Sequence, residues 1–589
     1  MIVPMKKVFV VALKKDILSV VTDLGQLGIV HVEHQEPLEG YELEGIREEV
    51  KILERSIEIL KKTKIASLQE SCVDWTDTIN DILKLEADIQ SCAEHLAKRQ
   101  ILINQWQSWG DFDPQMIKDL EEKGLYVWLC EILVSQRSKI PREVIVEEIS
   151  ANKGSLRCVL IARQRMELPF STILPPLMSL SQMAASNEAD KKRMAEAREK
   201  INSYARYLQC FEGILKEQQR ILTLEEVASG MKEEGILAVL KGFCPVDLCQ
   251  TLETKAKEFH WGLLIQDPSE EDRVPTFIKN PRWVEIIKPL FNVINVLPGY
   301  RELDISFIFL IFFSIFFGIL IGDAGYGLIF ILLTLFFHLK FKEKIKDKAP
   351  FFLMYVLSAC AIVWGLLTGT FLGTVLFKES LKPLLVWLTE TKNVQLFCFI
   401  IAAVHLTIAH FWRFLMKAPK ISALAELGWI CILWSAFFVA NMLILGYPLL
   451  GFVKYLFLGG IFLIVVDILT QPKNTIFVNL ILLVFSIISA FTDIVSYIRL
   501  FAVGLAGVAV ADAFNEMALG FGFNNFFSSF ITILILVVGH LFNIALSGFG
   551  ILVHGLRLNV LEFSGHLGLE WAGIKYEPFK ITQPVSSNS

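Results

Sequence analysis

The sequence predicts a mixed fold: α+β lobes joined by an antiparallel coiled coil, followed by an all-α polytopic membrane domain of eight helices, the last two long and tilted. Two observations lead to this prediction. Charged residues with helical periodicity fill the chain up to Pro298, and apolar runs of about 17 to 25 residues recur after Ile305. The predicted domains are therefore a polar half at 1–298, a membrane domain at 299–570 and a polar tail at 571–589.

The polar half contains two predicted lobes, one formed by about 1–40 together with 233–275 and the other by about 108–180. Alternation of apolar residues predicts their strands, at 6–13, 29–33, 236–243, 262–266, 125–132 and 156–162. Helical spacing predicts a helix at 15–27, which Gly28 ends, and another at 245–259.

Three heptad segments connect the lobes and predict the coiled coil. Their apolar positions are Ile46, Val50, Leu53, Ile57 and Leu60; Ile82, Leu85, Ile89, Cys92 and Leu96; and Ile201, Tyr204, Leu208, Phe211 and Leu215. A local helical bundle is the alternative that the same pattern allows.

Composition and motifs exclude several classes of function. A net charge of −5 without a basic stripe argues against a nucleic-acid partner. Neither GxxxxGK[ST] nor GxGxxG between a strand and a helix occurs in the polar half, so we expect no nucleotide site, no cofactor and no catalytic residues. The ten cysteines are scattered without metal-ligand spacing, which predicts reduced packing residues and no metal site.

Eight apolar spans are predicted, and their flanking charges give the orientation. Positive charges follow every even-numbered span, which predicts a multi-pass integral membrane protein with both termini in the cytoplasm. Met1 to Leu13 lacks a cleavage site and does not resemble a signal peptide. The spans are 305–322, 324–339, 351–371, 394–416, 423–445, 450–470, 477–518 and 526–560.

Arg499 lies inside the seventh run, at a depth where a permanent charge is costly. The 42 residues of this run would reach about 63 Å as a helix, against roughly 30 Å of hydrocarbon. The run must therefore tilt strongly or break, and the absence of Gly or Pro between Phe491 and Arg499 favours one tilted helix.

Small residues follow Arg499 along one face of this helix. Ala502, Ala506, Ala509 and Ala513 form a narrow track on which a neighbouring backbone can approach closely. Asp493 and Asp512 point well away from the arginine at α-helical spacing. We therefore expect the carboxylate partner of Arg499 to lie on another chain.

The eighth run carries polar or small residues on one stripe, which we interpret as the border of a water-lined path. Hydrogen bonding to neighbouring helices is the alternative for His540 and Asn543, and Arg557 taken singly could reach the headgroups. Glu562 is added to the path candidates. The stripe comprises His540, Asn543, Ser547, Gly550, His554 and Arg557.

Four glycines surround Asp323 and Tyr326 in "FGILIGDAGYG", where the first two spans meet. We expect a structural turn built by Gly322, Asp323, Gly325, Tyr326 and Gly327, with Asp323 capping the second helix; a role in ion passage is the alternative.

Five segments together resemble subunit I of the A/V-type rotary ATPases, the counterpart of the eukaryotic V-ATPase a subunit. They are "MIVPMKKVFVVALK", "GFCP", "GDAGYG", "SYIRLFAVGLAG" and "LVHGLRLNVLEF". The resemblance implies a static, non-catalytic subunit beside a rotating ring of small c/K-type membrane subunits that bear a carboxylate. It also implies peripheral stalk subunits of E/G type on the cytoplasmic lobes, and contacts with subunits on the central-stalk side.

By this resemblance, Arg499 matches the essential ring-facing arginine and Arg557 the second arginine of the last long helix. Gly507 stands where eukaryotic relatives usually have a histidine, and Ser547 where they have a glutamate. These departures are compatible with a prokaryotic plasma-membrane protein. Protons or sodium as the ion, and ATP synthesis or consumption as the direction, both stay open, as do a secondary transporter and a purely structural membrane anchor.

Overall fold

The computed structural model describes residues 1–34, 41–63, 74–141, 143–152, 155–166, 168–345, 347–375 and 382–581. Strands in these ranges are β1 Met5–Leu13, β2 His31–Glu33, β3 Tyr126–Leu133, β4 Ile145–Asn152, β5 Ser155–Ala162, β6 Thr172–Ile173, β7 Lys232–Glu234, β8 Leu237–Pro245, β9 Gly262–Gln266, β10 Pro275–Thr276 and β11 Ile574–Lys575.

The first sheet has the strand order β2-β8-β1-β9, with β7 paired to β8. The segments predicted for the first lobe therefore share one sheet, as expected from their alternation. The helix after β1 ends at Gly28, whose φ of 61° is the left-handed conformation that glycine adopts without strain. Prediction and structure agree here to within a few residues at each end.

The second sheet has the order β4-β5-β3-β6 and forms the predicted second lobe. β3 and β5 pair antiparallel from Tyr126 opposite Ala162 to Leu133 opposite Ser155. Alternate residues of β5 are buried, and Cys130 on β3 is buried together with Cys158 on β5. Burial raises the pKa of the Cys130 thiol to about 11, so this cysteine is a protonated packing residue, as predicted.

The helices of the polar half include all three heptad segments. Leu53, Ile57, Ile82, Ile201 and Phe211 belong to one buried cluster, so the predicted apolar positions do form a core. The coiled-coil geometry itself stays a prediction. The helices are α1 Ile17–Leu27, α2 Tyr41–Lys61, α3 Trp75–Trp106, α4 Pro114–Glu122, α5 Leu180–Tyr204, α6 Leu208–Ser229, α7 Val246–Glu258, α8 Arg282–Glu285 and α9 Lys288–Ile294.

The prediction that every cysteine is reduced is wrong at Cys210 on α6, which is disulfide-bonded. Cysteine spacing along the sequence does not reveal disulfide connectivity, so the pattern could not have indicated this bond.

The remaining helices are rich in apolar residues. They are α10 Ser306–Ile321, α11 Ala324–Phe341, α12 Ala349–Thr368, α13 Thr391–Lys417, α14 Ser422–Ala440, α15 Val453–Thr470, α16 Lys473–Ser496, α17 Ile498–Phe521, α18 Phe526–Gly550 and α19 Ser564–Leu567. Seven runs in the described residues are long and apolar enough to cross a membrane, and α10 is a shorter apolar helix. Seven of the eight predicted spans thus correspond to these candidate runs, and the first predicted span corresponds to the shorter helix α10.

The two longest runs depart from regular α-helix. Asn474–Phe521 covers 48 residues and is interrupted at Tyr497, whereas Phe526–Leu567 covers 42 residues and contains π-helical turns at Ile551–Gly555 and Leu558–Phe563. The seventh run therefore stays one long candidate span, as the prediction of one helix requires, with a local irregularity at Tyr497; its tilt stays a prediction. Arg499 makes a side-chain contact at this irregularity, described below.

Contacts divide the chain into two compact units. Unit 1 comprises Met1–Val8, Gly242–Glu258 and Leu264–Pro578, and unit 2 comprises Phe9–Lys241, Phe259–Leu263 and Phe579–Ser589. Unit 1 contains all of α10 to α19, packed around a large aromatic core that includes Phe309, Phe316 and Phe399. The predicted domain limits 1–298, 299–570 and 571–589 stay a prediction.

Candidate functional site

Arg499 lies at the break between α16 and α17. Its Nε donates a hydrogen bond to the Ser496 carbonyl at 2.9 Å, and the Leu500 amide donates to the Tyr497 carbonyl at 3.0 Å, one residue closer than in an α-helix. The tightened turn leaves the Ser496 carbonyl free for the guanidinium. The break in the helix thus provides the carbonyl that holds the Arg499 side chain in place.

Tyr497 anchors this break in the core. It is fully buried, and its hydroxyl lies 2.8 Å from His405 Nδ1 on α13. The His405 ring stacks between Phe312 and Phe563. Arg499 is therefore attached to a rigid aromatic cluster, which fixes where its charge lies.

Glu562 is the carboxylate that meets Arg499. Its Oε1 lies 2.6 Å from Arg499 Nη2 and 3.3 Å from Arg557 Nε, and its side chain is only 5% exposed. The expectation that Arg499 finds its carboxylate on another chain is therefore wrong. The structure brings Glu562 together with both arginines that the resemblance singled out.

The π-helical turns explain why the sequence did not indicate this contact. At α-helical spacing, residues five apart such as Arg557 and Glu562 point about 140° away from each other. A π turn, with its hydrogen bonds over five residues, brings such a pair onto one face. Two such turns flank Arg557, and π turns in helices occur frequently at functional sites.

The alanine track on α17 is exposed along its length. All four alanines are exposed: Ala502, Ala506, Ala509 and Ala513. The opposite face of α17 is buried and includes Leu500, Gly504, Ala511, Asn515 and Ala518. Arg499 thus stands at one end of a smooth surface that no other described part of this chain covers.

The polar stripe of α18 is largely buried against other helices. Asn543 is 1% exposed, and its Nδ2 donates to the Tyr326 hydroxyl at 2.9 Å and to the Gly507 carbonyl at 2.8 Å. His540 Nδ1 lies 2.8 Å from the same hydroxyl. For these two residues the structure matches the alternative of hydrogen bonding between helices. Gly550 is buried, and His554 is half-buried.

The two departures from the eukaryotic pattern lie next to each other. A Cβ at Gly507 would lie 3.6 Å from Ser547 Oγ, and Ser547 itself is buried. A histidine and a glutamate at these two positions would therefore be neighbours, and this chain replaces both at once.

The glycine-rich turn has the structural role expected from its sequence. Asp323 is buried, and its Oδ1 accepts hydrogen bonds from the amides of Gly325 and Tyr326, which confirms it as the cap of α11. It also accepts from the amides of Leu372 and Gly373 at 2.9 and 2.7 Å. Four backbone donors account for this buried charge without an ion.

A polar cavity of about 460 Å³ adjoins the pair of Arg499 and Glu562. Its lining mixes acids, bases and hydroxyls, and Glu562 is part of the wall. The polar residues that line it are His410, Arg413, Ser486, Ser489, Asp493, Arg557, Glu562 and His566.

A second cavity, of about 280 Å³, borders the start of α17. Leu500, Phe501 and Gly504 form part of its wall, and hydroxyl groups are its polar lining. The hydroxyls belong to Thr368, Thr370, Thr374, Thr389 and Thr391. The two cavities share no lining residue: the larger one is lined by α16 as far as Asp493, and the smaller one by α17 from Leu500 onward.

Two histidines and two acids form a hydrogen-bonded chain at the wall of the larger cavity, which we call the histidine chain. Glu426 Oε2 lies 2.7 Å from His410 Nδ1, His410 Nε2 lies 2.9 Å from His566 Nδ1, and His566 Nε2 lies 3.2 Å from Asp493 Oδ2. Sequence reasoning missed this group because its members come from α14, α13, α19 and α16. Histidines within apolar helices were the available signal.

Together these features define a multi-pass integral membrane protein that also carries α+β lobes and places paired charges between its apolar helices. No protein-family model matches the chain. It is 30% identical to the V-type ATP synthase subunit I of Borreliella burgdorferi, over 98% of this chain and 99% of that protein. It is also 30% identical to the V-type ATP synthase subunit I 1 of Treponema pallidum, over 98% and 100% of the two chains.

The chain therefore belongs to the V-type and A-type ATP synthase subunit I family, whose members are membrane subunits of a rotary ATPase. A solved cytoplasmic N-terminal domain of a subunit I, homologous to subunit a of V-ATPase, matches 44% of this chain and all of that domain. The identity is 14% and the TM-score 0.25.

Proposed function

We propose that this chain is the static membrane subunit that couples ion movement to rotation of a ring of small membrane subunits bearing a carboxylate. One observation carries the proposal: Arg499 is fixed at a helix break, beside Glu562, at the end of an exposed alanine face. A permanent charge at membrane depth costs free energy, so its presence there indicates a role in binding an ionised partner group.

The role of Arg499 follows from its permanent charge. A ring carboxylate that comes close to the guanidinium is favoured in its ionised form, so it releases its ion there and reloads after passing. Glu562 competes for the same guanidinium, because its Oε1 already pairs with Arg499. This competition prevents Arg499 from holding a ring carboxylate too tightly.

Arg557 also pairs with Glu562. Its Nε lies 3.3 Å from Glu562 Oε1, and its own side chain is half exposed. Two arginines around one acid give the cluster a net positive charge, which favours the arrival of an additional carboxylate. This arrangement supports a role in ion translocation for both arginines.

The two cavities are candidates for the two half-channels. The larger one reaches Glu562 through acids and histidines, and the smaller one reaches Leu500 and Gly504 through threonine hydroxyls. An ion that enters by one cavity must cross the Arg499 region on the ring before it leaves by the other. His554, which lies on the same stripe near Arg557, is a further half-channel candidate.

The flanking charges support a cytoplasmic position for both termini and for the larger cavity. Lys417 is the last residue of α13, and Arg413, one turn before it, lines that cavity, so positive charges that mark the cytoplasmic side lie beside the cavity. The polar lobes would then lie in the cytoplasm. We propose that they anchor peripheral stalk subunits of E/G type and contact subunits on the central-stalk side.

The experiment that tests the function uses the whole complex in phospholipid vesicles. We expect Arg499→Ala and Arg499→Lys to abolish ATP-driven ion uptake while the complex still assembles, because neither provides a planar, permanent charge. Arg220→Lys on α6, whose arginine pairs with Glu217 outside the membrane helices, is the matched control and should keep its uptake.

Ion uptake by either Arg499 variant would reject the role. Purification in mild detergent gives a second test: a stator subunit brings ring and ATPase subunits with it, whereas a secondary transporter comes out alone.

A further inference from the structure

The histidine chain contains one contact that needs an additional proton. Lys417 Nζ and Arg413 Nε lie 2.5 and 3.1 Å from Glu426 Oε1, which keeps this buried acid ionised. Because ionised Glu426 can only accept, His410 Nδ1 carries the proton that joins them. In a neutral ring, His410 Nε2 is then an acceptor.

With both histidines neutral and Asp493 ionised, there are too few protons for the two remaining hydrogen bonds of the histidine chain. If His566 Nδ1 donates to His410, a neutral His566 turns a bare Nε2 toward Asp493, which in its ionised form has no proton to give. If His566 Nε2 donates to Asp493 instead, two bare nitrogens face each other at 2.9 Å. The histidine chain can form all three of its hydrogen bonds only with one more proton. This proton either makes one histidine an imidazolium or protonates Asp493.

Charges from every neighbouring element act on this proton. Arg413 and Lys417 on α13 oppose an imidazolium, and Arg413 Nη1 donates to the His566 carbonyl at 2.9 Å. Arg557 lines the same cavity and opposes it as well. Glu426, Asp493 and Glu562 favour it. Three bases and three acids thus surround the additional proton.

One end of the histidine chain opens onto the larger cavity. Asp493 and His566 line this cavity together with Glu562, whereas the Glu426 end is 2% exposed. The Ser496 hydroxyl lies 3.5 Å from Glu562 Oε1, and its other contact, at 2.6 Å, is the backbone carbonyl of Asp493. A proton that leaves the Asp493 carboxylate therefore enters the cavity whose wall also includes Glu562, the acid that pairs with Arg499.

We propose that the histidine chain is a proton-loading site on the larger cavity, and that the ion passed to the ring here is the proton. The proposal rests on the proposed function and identifies its ion. Water in the cavity protonates Asp493, which passes the proton to His566 Nε2 as the Nδ1 proton of His566 moves to His410 Nε2. The reverse sequence releases it, and only O–H and N–H bonds form or break.

Imidazole pairs suit a proton better than a hard metal cation. A hard cation binds oxygen ligands, whereas this wall presents ring nitrogens and the guanidinium of Arg413 beside the acids. The buried histidines can exchange protons without moving, since each ring holds or receives one on either nitrogen.

The test measures ATP-driven uptake against the pH of the cytoplasmic side, in vesicles that contain the whole complex. The variants are His566→Gln and Asp493→Asn, which keep polar groups but cannot carry the proton. His338→Gln on α11, whose histidine pairs with Tyr355 away from the cavity, is the matched control. We expect wild-type uptake to change little between about pH 6 and 8, and the variants to lose about tenfold per pH unit above neutrality, because loading from dilute protons becomes limiting.

Two results would overturn the inference. A variant that loses uptake equally at every pH has a purely structural defect, and a variant with the wild-type profile does not use the site. ATP-driven uptake of radioactive sodium that continues in the presence of a protonophore would also reject the proton as the ion.

Arg499→Ala separates this inference from the proposed function. If it abolishes uptake while His566→Gln keeps the wild-type profile, the proton-loading site is wrong and the coupling role stands. If Arg499→Ala retains coupled uptake, both fail.

Discussion

The two long membrane runs each position a charged side chain, but by different departures from α-helical geometry. In Asn474–Phe521 the helix breaks at Tyr497, and the freed Ser496 carbonyl binds Arg499. In Phe526–Leu567 the helix continues, but π turns move Glu562 onto the face of Arg557. Both irregularities place an ionic group, and they meet at one pair. Charge placement in this membrane unit thus depends on local departures from α-helical geometry.

The surfaces of the two runs differ as well. α17 presents exposed alanines, whereas the polar stripe of α18 is turned inward and hydrogen-bonded to Tyr326 and Gly507. A small exposed face suits contact with a moving neighbour, and a buried polar face suits fixed packing between helices. Substitutions at Arg499 or on its alanine face should therefore act on transport, and those on the buried stripe of α18 before His554 should act mainly on stability.

The largest effect in this comparison is expected from Glu562→Gln. This change keeps the shape of the side chain but removes the charge that pairs with Arg499, so we expect at least about a tenfold loss of ATP-driven uptake. ATP hydrolysis by the complex should slow with it, because a ring carboxylate then binds Arg499 without competition. Both rates can be followed in the same vesicles.

Glu516→Gln is the matched control, because Glu516 is an exposed acid on α17. It should behave as wild type. Wild-type uptake in Glu562→Gln would show that Glu562 has no part in coupling and that the break at Tyr497 alone positions the arginine.

A smaller effect is expected from Asn543→Leu on the buried stripe. Losing its two hydrogen bonds should lower the free energy of unfolding by about 1 kcal/mol, with less than about a twofold change in uptake. The purified complex would be compared by thermal unfolding with Leu541→Ala, a change on the exposed face of α18. Uptake abolished in Asn543→Leu at unchanged stability would assign this residue to the ion path instead.

Much of the architecture could be predicted because it follows from periodicity. Alternation gave the strands of both lobes, and apolar run length gave the candidate spans. Capping chemistry correctly assigned Asp323 as the N-cap of α11, since an acid directly before a helix accepts hydrogen bonds from the first free amides of that helix.

The core of the site could not be predicted for the same reason. Periodicity assumes a regular helix, so it turned Glu562 away from Arg557 and left Arg499 without a partner in its own chain. The histidine chain joins four helices that are distant in sequence, such as Glu426 on α14 and Asp493 on α16. Only the packed structure brings such residues together.

The central claim is that the Arg499 face of α17 moves against a ring, and cysteine cross-linking tests it most directly. The complex would carry Ala506→Cys with a single cysteine in the ring subunit, and Leu546→Cys on the exposed face of α18 would serve as the control. We predict that oxidation joins Ala506→Cys to the ring and stops ATP-driven uptake until a reductant restores it, whereas Leu546→Cys stays uncross-linked. Absence of a cross-link at Ala506, with uptake undisturbed by the oxidant, would contradict the account.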